Sequence, residues 1–271
     1  MILQNLHTHT SYCDGKNTPE DMILRAISLG CQSLGFSGHS PLPVGGEGWT
    51  MEPEQVSIYR KDILRLRKKY GGYLDIYLGL EQDIDSPIHE GPWDYLIGSV
   101  HNLTVDGHCF SVDNTAEILR DAADCHFGGD PPALAEAYYQ RLSHVAEITG
   151  CQIVGHFDLV TKFNEHGMFF DESCPRYQEA ALGALDALCG KGLIFEINTG
   201  AMSRGYRSVP YPSSFLLQEL HRRKEAICIT SDSHSTDTIL YGFEQAAELA
   251  RSCGFTETMI LTKQGFVPQP L

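Results

Sequence analysis

The first strand-like run of this chain ends in His7-Thr8-His9. Side chains alternate along a strand, so both imidazoles project to the same side, where together they can grip one metal ion. A pair of exposed strand-end histidines would look the same, and the motif alone decides little. Repetition changes the reading. His39 closes a second run in Phe36-Ser37-Gly38-His39-Ser40, Glu81 a third in Gly79-Leu80-Glu81, and His101 a fourth in Gly98-Ser99-Val100-His101. His156 closes a fifth in Val154-Gly155-His156-Phe157-Asp158, and a late run ends in Thr230-Ser231-Asp232-Ser233-His234. Six runs thus carry His, Asp or Glu at the same end. With water, those are the ligands that borderline and hard divalent cations take.

The elements that must position these residues are short apolar runs at 2–7, 33–39, 74–81, 95–101, 152–156, 193–198 and 226–231, read as strands. Between most of them lie segments of helical period, 19–29, 53–69, 132–148, 175–188 and 213–222, with 237–252 after the last strand. Thr18-Pro19 and Ser213-Ser214 look like helix starts, and Gly30 and Gly190 like stops. Such alternation predicts a parallel α/β fold. An open doubly wound sheet shares the pattern but would set the ligand-type residues in a line, whereas a barrel brings all strand ends to one face. A barrel is therefore favoured. Two stretches, 41–49 and 103–130, break the alternation and read as long loops near the site.

Size and composition fit one large domain: 271 residues, 42% of them hydrophobic, with no linker or repeat, so that 1–271 is expected to fold as a single unit. The net charge of −15 repels polyanions, and no nucleic-acid partner is expected. Residues 1–6 run directly into polar residues without a basic leader, and no apolar run approaches the roughly 20 residues of a membrane span. The expected location is the cytoplasm, away from membranes. Nine scattered cysteines without a CxxC pair read as reduced thiols. No GxSxG elbow, GxxxxGK[ST] loop or helix-opening GxGxxG is present, so acyl transfer and nucleotide-cofactor chemistry have no support.

In this order, His7-Thr8-His9 with Asp14 shortly after, Ser37-Gly38-His39-Ser40, Gly79-Leu80-Glu81, Ser99-Val100-His101, Gly155-His156 and Ser231-Asp232-Ser233-His234 resemble the polymerase and histidinol phosphatase (PHP) family of metal phosphoesterases. The resemblance covers nearly the whole chain. It implies a distorted seven-stranded (β/α) barrel holding two or three divalent ions, zinc, manganese or iron. It further implies that His7, His9, Glu81 and Asp232 hold the first ion, that Glu81 bridges to a second held by His101 and His156, and that His39 and His234 hold a third. Whether Asp14 is a ligand of that third ion or a general acid stays open; His234 is the other candidate for protonating the leaving alkoxide.

A phosphoester also needs fixed cations. Lys162, just after His156, and Arg204 and Arg207, after the sixth strand, are the candidates, an arginine fork being suited to bidentate phosphate binding. That sixth-strand segment, with Tyr211-Pro212-Ser213 beyond it, resembles the histidinol-phosphatase branch of the family. The implied substrate, L-histidinol phosphate, is a small phosphomonoester with a cationic far end that an acidic rim of Glu47, Asp83 or Asp85 would attract. Amidohydrolases share the opening HxH and closing Asp, but they bridge their metals with a modified lysine, and no lysine closes a central strand here. A PHP domain kept as a scaffold would have shed ligands that this chain retains, and a nuclease would want the basic stripe it lacks.

Overall fold

The computed structural model describes residues 3–271. Its strands are β1 (Gln4–Asn5), β2 (Ser33–Phe36), β3 (Asp75–Asp83), β4 (Tyr95–Ser99), β5 (Asn102–Val105), β6 (His108–Ser111), β7 (Ile153–Val154), β8 (Ile194–Asn198), β9 (Ala226–Thr230), β10 (Glu257–Thr262) and β11 (Gly265–Pro270). Its helices are α1 (Pro19–Ser28), α2 (Pro53–Tyr70), α3 (Ala116–His126), α4 (Pro131–Leu142), α5 (Val145–Thr149), α6 (Pro175–Leu188), α7 (Gly200–Ser203), α8 (Ser214–Arg222) and α9 (Phe243–Ser252).

Seven strands form one parallel sheet in the order β1-β2-β3-β4-β7-β8-β9. The first and last meet through a parallel bridge between Thr8 and Ser233, with His9 N donating to Ser233 O at 2.8 Å and Ser233 N to His7 O at 3.0 Å. The sheet is thereby a nearly closed barrel, as the converging ligand-type residues predict.

Helices cover the outside for ordinary reasons. Helix α1 starts in a capping box, with Thr18 and Asp21 each bonding the other's backbone, and buries Pro19, Met22, Ile23 and Ala26, a single stripe at helical spacing. Inside the barrel the strands obey period two. Tyr77, Tyr95, Ile97, Ile194 and Cys228 make an apolar layer, and the same faces continue upward into Glu81, Ser99, Glu196 and Thr230. Tyr95 fills the lower barrel by lying across Gly35 and Gly79, where any Cβ would fall on its ring or hydroxyl.

Sequence and structure differ at several ends. Strands β1, β2 and β7 pair over fewer residues than the runs suggest, and Ile2 lies outside the described residues. Glu81 lies within β3, paired with Ile97, whereas His39, His101, His156 and Asp232 sit two or three positions beyond the ends of β2, β4, β7 and β9, on the loops at the C-terminal mouth. The segment 103–130 is not one loop: Asp106 and Gly107, with φ of 50° and 81°, turn β5 into β6, and α3 follows. Such an Asp-Gly turn matches the twist of a two-residue hairpin. The helix expected over 132–148 breaks at Ser143-His144 into α4 and α5. That expected over 237–252 begins only at Phe243, after Gly242 at φ 70°. The β10–β11 hairpin was not expected. It closes the N-terminal end, where Gln4 exchanges hydrogen bonds of 2.8 and 2.7 Å with the backbone of Leu261. Among the described residues no helix is long and apolar enough to cross a membrane.

Candidate metal centre

Glu81 is the hub. Its side chain is fully buried, and its Oε2 lies 3.2 Å from His7 Nε2, 3.5 Å from His9 Nε2 and 2.8 Å from His39 Nδ1. Its Oε1 lies 3.3 Å from His101 Nε2 and 3.0 Å from His156 Nε2, and accepts a hydrogen bond from Ser99. Five imidazoles delivered by four strand ends thus surround one carboxylate. Asp232 approaches from the opposite wall, its Oδ1 3.2 Å from His9 Nε2, 3.7 Å from His7 Nε2 and 3.5 Å from His234 Nδ1. Asp14 lies 3.6 Å from His9 Nδ1, 3.7 Å from His39 Nε2 and 3.0 Å from His234 Nε2.

These side chains fall into sets whose donor atoms lie within 4.8 Å of one another: His7, His9 and Glu81; His7, His156 and Asp232; His39, Glu81 and His101; and His9, Asp14, His39 and His234. All nine residues singled out from the sequence as metal ligands are therefore brought together. The donors also fit a cation chemically. His7 Nε2, His9 Nε2 and Glu81 Oε2 are buried without a hydrogen-bond partner, a costly condition that a divalent ion would relieve.

Electrostatics agrees. Burial works against charge on Glu81, but His39, His7 and His101 outweigh it and hold the carboxyl well below the usual range. Asp232 is likewise held down, against burial, by Arg204 and His7, and Asp14 by His39, His234 and His9. His9 is pushed down to about 3 by burial and by His234 and His39. At neutral pH it offers a free lone pair. His7 is raised despite burial, by Glu196, Glu81 and Asp232, so a cation arriving at its Nε2 displaces a proton.

Above the cluster opens a cavity of about 400 Å³, lined among others by Asp14, His39, His101, His156, Asp232 and His234. Its size suits a small molecule. Two of the three expected phosphate cations reach it. Lys162 is tethered to Asp113, through the carbonyl at 2.6 Å and the carboxylate at 3.1 Å. Arg204 donates to Asp232 at 3.0 Å and contacts His234 at 3.2 Å. Gly200 makes room for this contact, since a Cβ there would strike both Asp232 and Arg204.

Arg207 is a correction. Its guanidinium turns away from the cavity, donating to Thr161 O at 2.8 Å and Glu172 at 3.5 Å, because the turn after α7 sends successive arginines to opposite sides. Of the expected acidic rim, only Glu47 lines the cavity. Asp83 is buried and accepts from His101 Nδ1 at 2.9 Å, and Asp85 pairs with Arg141 on another face.

A family model described as the PHP domain matches residues 5–200. The chain belongs to the PHP family. Among relatives of this PHP protein, one of Deinococcus radiodurans named probable histidinol-phosphatase is 29% identical over 258 residues, covering 92% of each chain. The histidinol-phosphatase of Bacillus subtilis is 27% identical over 265 residues, covering 89% of this chain and 97% of that one. A solved structure of histidinol phosphate phosphatase from Lactococcus lactis subsp. lactis, complexed with zinc, L-histidinol and phosphate, shares the fold with a TM-score of 0.74 at 21% identity, covering 98% of this chain and 99% of that chain.

Two features of this PHP site escaped the sequence reading. Trp49, from the 41–49 loop and its edge, stands at the mouth with its ring 4.7 Å from that of His39 and 5.1 Å from that of His101. Glu196, inward on β8, meets His7 Nδ1 at 2.6 Å. The signal for Glu196 was present: an acidic residue inside the apolar run Ile194-Phe195-Glu196-Ile197 has to be paired to be buried.

Proposed function

We propose that this PHP chain, with residues 1–271 acting as one domain, is a histidinol-phosphatase. It hydrolyses L-histidinol phosphate to L-histidinol and phosphate, a step of histidine biosynthesis, in the cytoplasm. The observation that carries the reading is the convergence of buried, unpaired His and Glu donor atoms beneath a cavity that also presents Lys162 and Arg204. The names borne by relatives that match along nine-tenths of the chain supply the substrate.

In this reading His7, His9, Glu81 and Asp232 hold one ion, Glu81 with His101 and His156 a second, and His39, His234 and Asp14 a third. Zinc, manganese or iron suits these N and O donors. Such ions, when bound, bring the pKa of a coordinated water toward about 7 and polarise phosphoryl oxygens.

The chain's own residues do the rest. Lys162 and Arg204 face the cavity and take phosphoryl oxygens by charge-assisted hydrogen bonds. Both are tethered to carboxylates, Asp113 and Asp232, which fixes their direction before substrate arrives. Asp14 faces three imidazoles and serves as a ligand; when the third ion is not bound, His234, on the cavity wall between Arg204 and Asp14, is the better placed to pass a proton to the leaving alkoxide. Glu47 at the rim faces the substrate's ammonium end.

The test is phosphate release from L-histidinol phosphate, set against sugar phosphates, nucleotides and p-nitrophenyl phosphate, with manganese or zinc supplied. A preference of a hundredfold or more for histidinol phosphate is expected. Even, slow turnover of the whole panel would overturn the substrate assignment and leave a broad phosphomonoesterase.

A further inference from the structure

Glu196 has every acceptor position engaged. Its Oε1 accepts from His7 Nδ1 at 2.6 Å and from the Thr230 hydroxyl at 2.6 Å. Its Oε2 accepts from the backbone N–H of His156 at 2.8 Å and from Asn198 Nδ2 at 2.9 Å. The residue is wholly buried. Four donors, two on each oxygen, suit an acceptor-only group and no other side chain of this length.

The geometry has a consequence for His7. A neutral ring whose Nδ1–H is given to a carboxylate has its lone pair on Nε2, and His7 Nε2 is the atom that lies without a hydrogen-bond partner 3.2 Å from Glu81 and 3.7 Å from Asp232. The same carboxylate holds the backbone of His156, on the strand end at the other side of β8. We propose that Glu196 is a positioning residue that selects the tautomer of His7 and anchors His156, so that one buried carboxylate aims two members of the metal cluster. The inference rests on the metal-centre reading above.

Replacement by glutamine separates this role from mere space-filling. The amide keeps the shape but has one end that donates. Turned toward His156 it would oppose a backbone N–H that cannot reverse, and Asn198, whose Oδ1 accepts from Gly200 N at 2.8 Å, resists flipping as well. Turned toward His7 it meets a ring that can accept at Nδ1 by moving its proton to Nε2, and Thr230 can rotate its hydroxyl. The second arrangement is the cheaper one, and it places a proton on the nitrogen that faces the metal.

Zinc titration by calorimetry of the metal-stripped full chain tests this. Partners that orient a ligating histidine are typically worth about ten- to a hundredfold in metal affinity, and Glu196→Gln is expected to weaken the tightest zinc site by that factor. Thr230→Val, which removes one of the four hydrogen bonds without offering His7 a donor, is expected to stay within about threefold. His7→Ala is the control. If it loses zinc while Glu196→Gln binds like the parent protein, the positioning role is overturned and the metal centre stands; if neither variant weakens zinc, the metal reading fails with it. Should Glu196→Gln not fold, the ring nitrogen shifts of His7 in the zinc-loaded parent, assigned by comparison with His7→Ala, decide. A protonated Nδ1 with a metal-bound Nε2 is expected, and a proton on Nε2 overturns the proposal.

Discussion

Arg204 and Arg207 stand three residues apart and face different surroundings. Arg204→Ala removes a cation that borders the cavity, and about a ten- to hundredfold fall in kcat/KM is expected, the scale of one to two charged hydrogen bonds. Arg207→Ala is expected to lower stability in urea by about 1–3 kcal/mol, since it strips the Thr161 carbonyl of its partner inside the protein, and to change kcat/KM by less than about threefold. Equal kinetic losses in both would contradict this division. The members of the His, Asp and Glu cluster were legible because ligand-type side chains at six strand ends are conspicuous against apolar runs. The division between the arginines was not, because it depends on which way a turn of four helical residues sends each side chain. Asp83 was misread for a related reason: only the three-dimensional packing shows that it ends a strand beside His101 and not at a solvent-facing rim.

The loop elements are tied down by polar contacts that sequence periodicity does not report. Lys162, which follows β7, is held by Asp113 from the segment between β6 and α3. Burial opposes charge on Asp113, but Lys162 and His101 hold its carboxyl down at about 2. A depressed carboxyl stabilises the fold above its unfolded value and loses that contribution as pH falls through its folded value. The stability difference between the parent protein and Asp113→Asn is therefore expected to be about 2 kcal/mol at pH 7 and to shrink between pH 4 and pH 2. Urea unfolding at several pH values reads it, and a difference independent of pH would contradict the pairing. The strands and most helices were legible from their periods. The β5–β6 and β10–β11 hairpins were not: β6 is half exposed and β11 carries two prolines, so neither shows the apolar run of a barrel strand.

Across the whole molecule, the formal charge of −15 includes Asp14, Glu81 and Asp232, which crowd one end of the barrel. Bound cations would cancel part of that charge and satisfy the unpaired donors, so the metal-free protein is expected to be the less stable form. An ion at a hundred times its dissociation constant contributes about 2.7 kcal/mol, and chelation is expected to lower Tm by about 5–10 °C; an unchanged Tm would speak against a metal that is part of the fold. The barrel itself was legible because ligand-type residues recur at one end of successive strands, which only a closed arrangement brings to a point. Phosphate release from L-histidinol phosphate, measured on the metal-stripped protein and again after zinc or manganese is returned, addresses the central claim most directly. Activity lost on stripping and restored by the ion is what this site requires, and turnover undiminished in the stripped protein would contradict it.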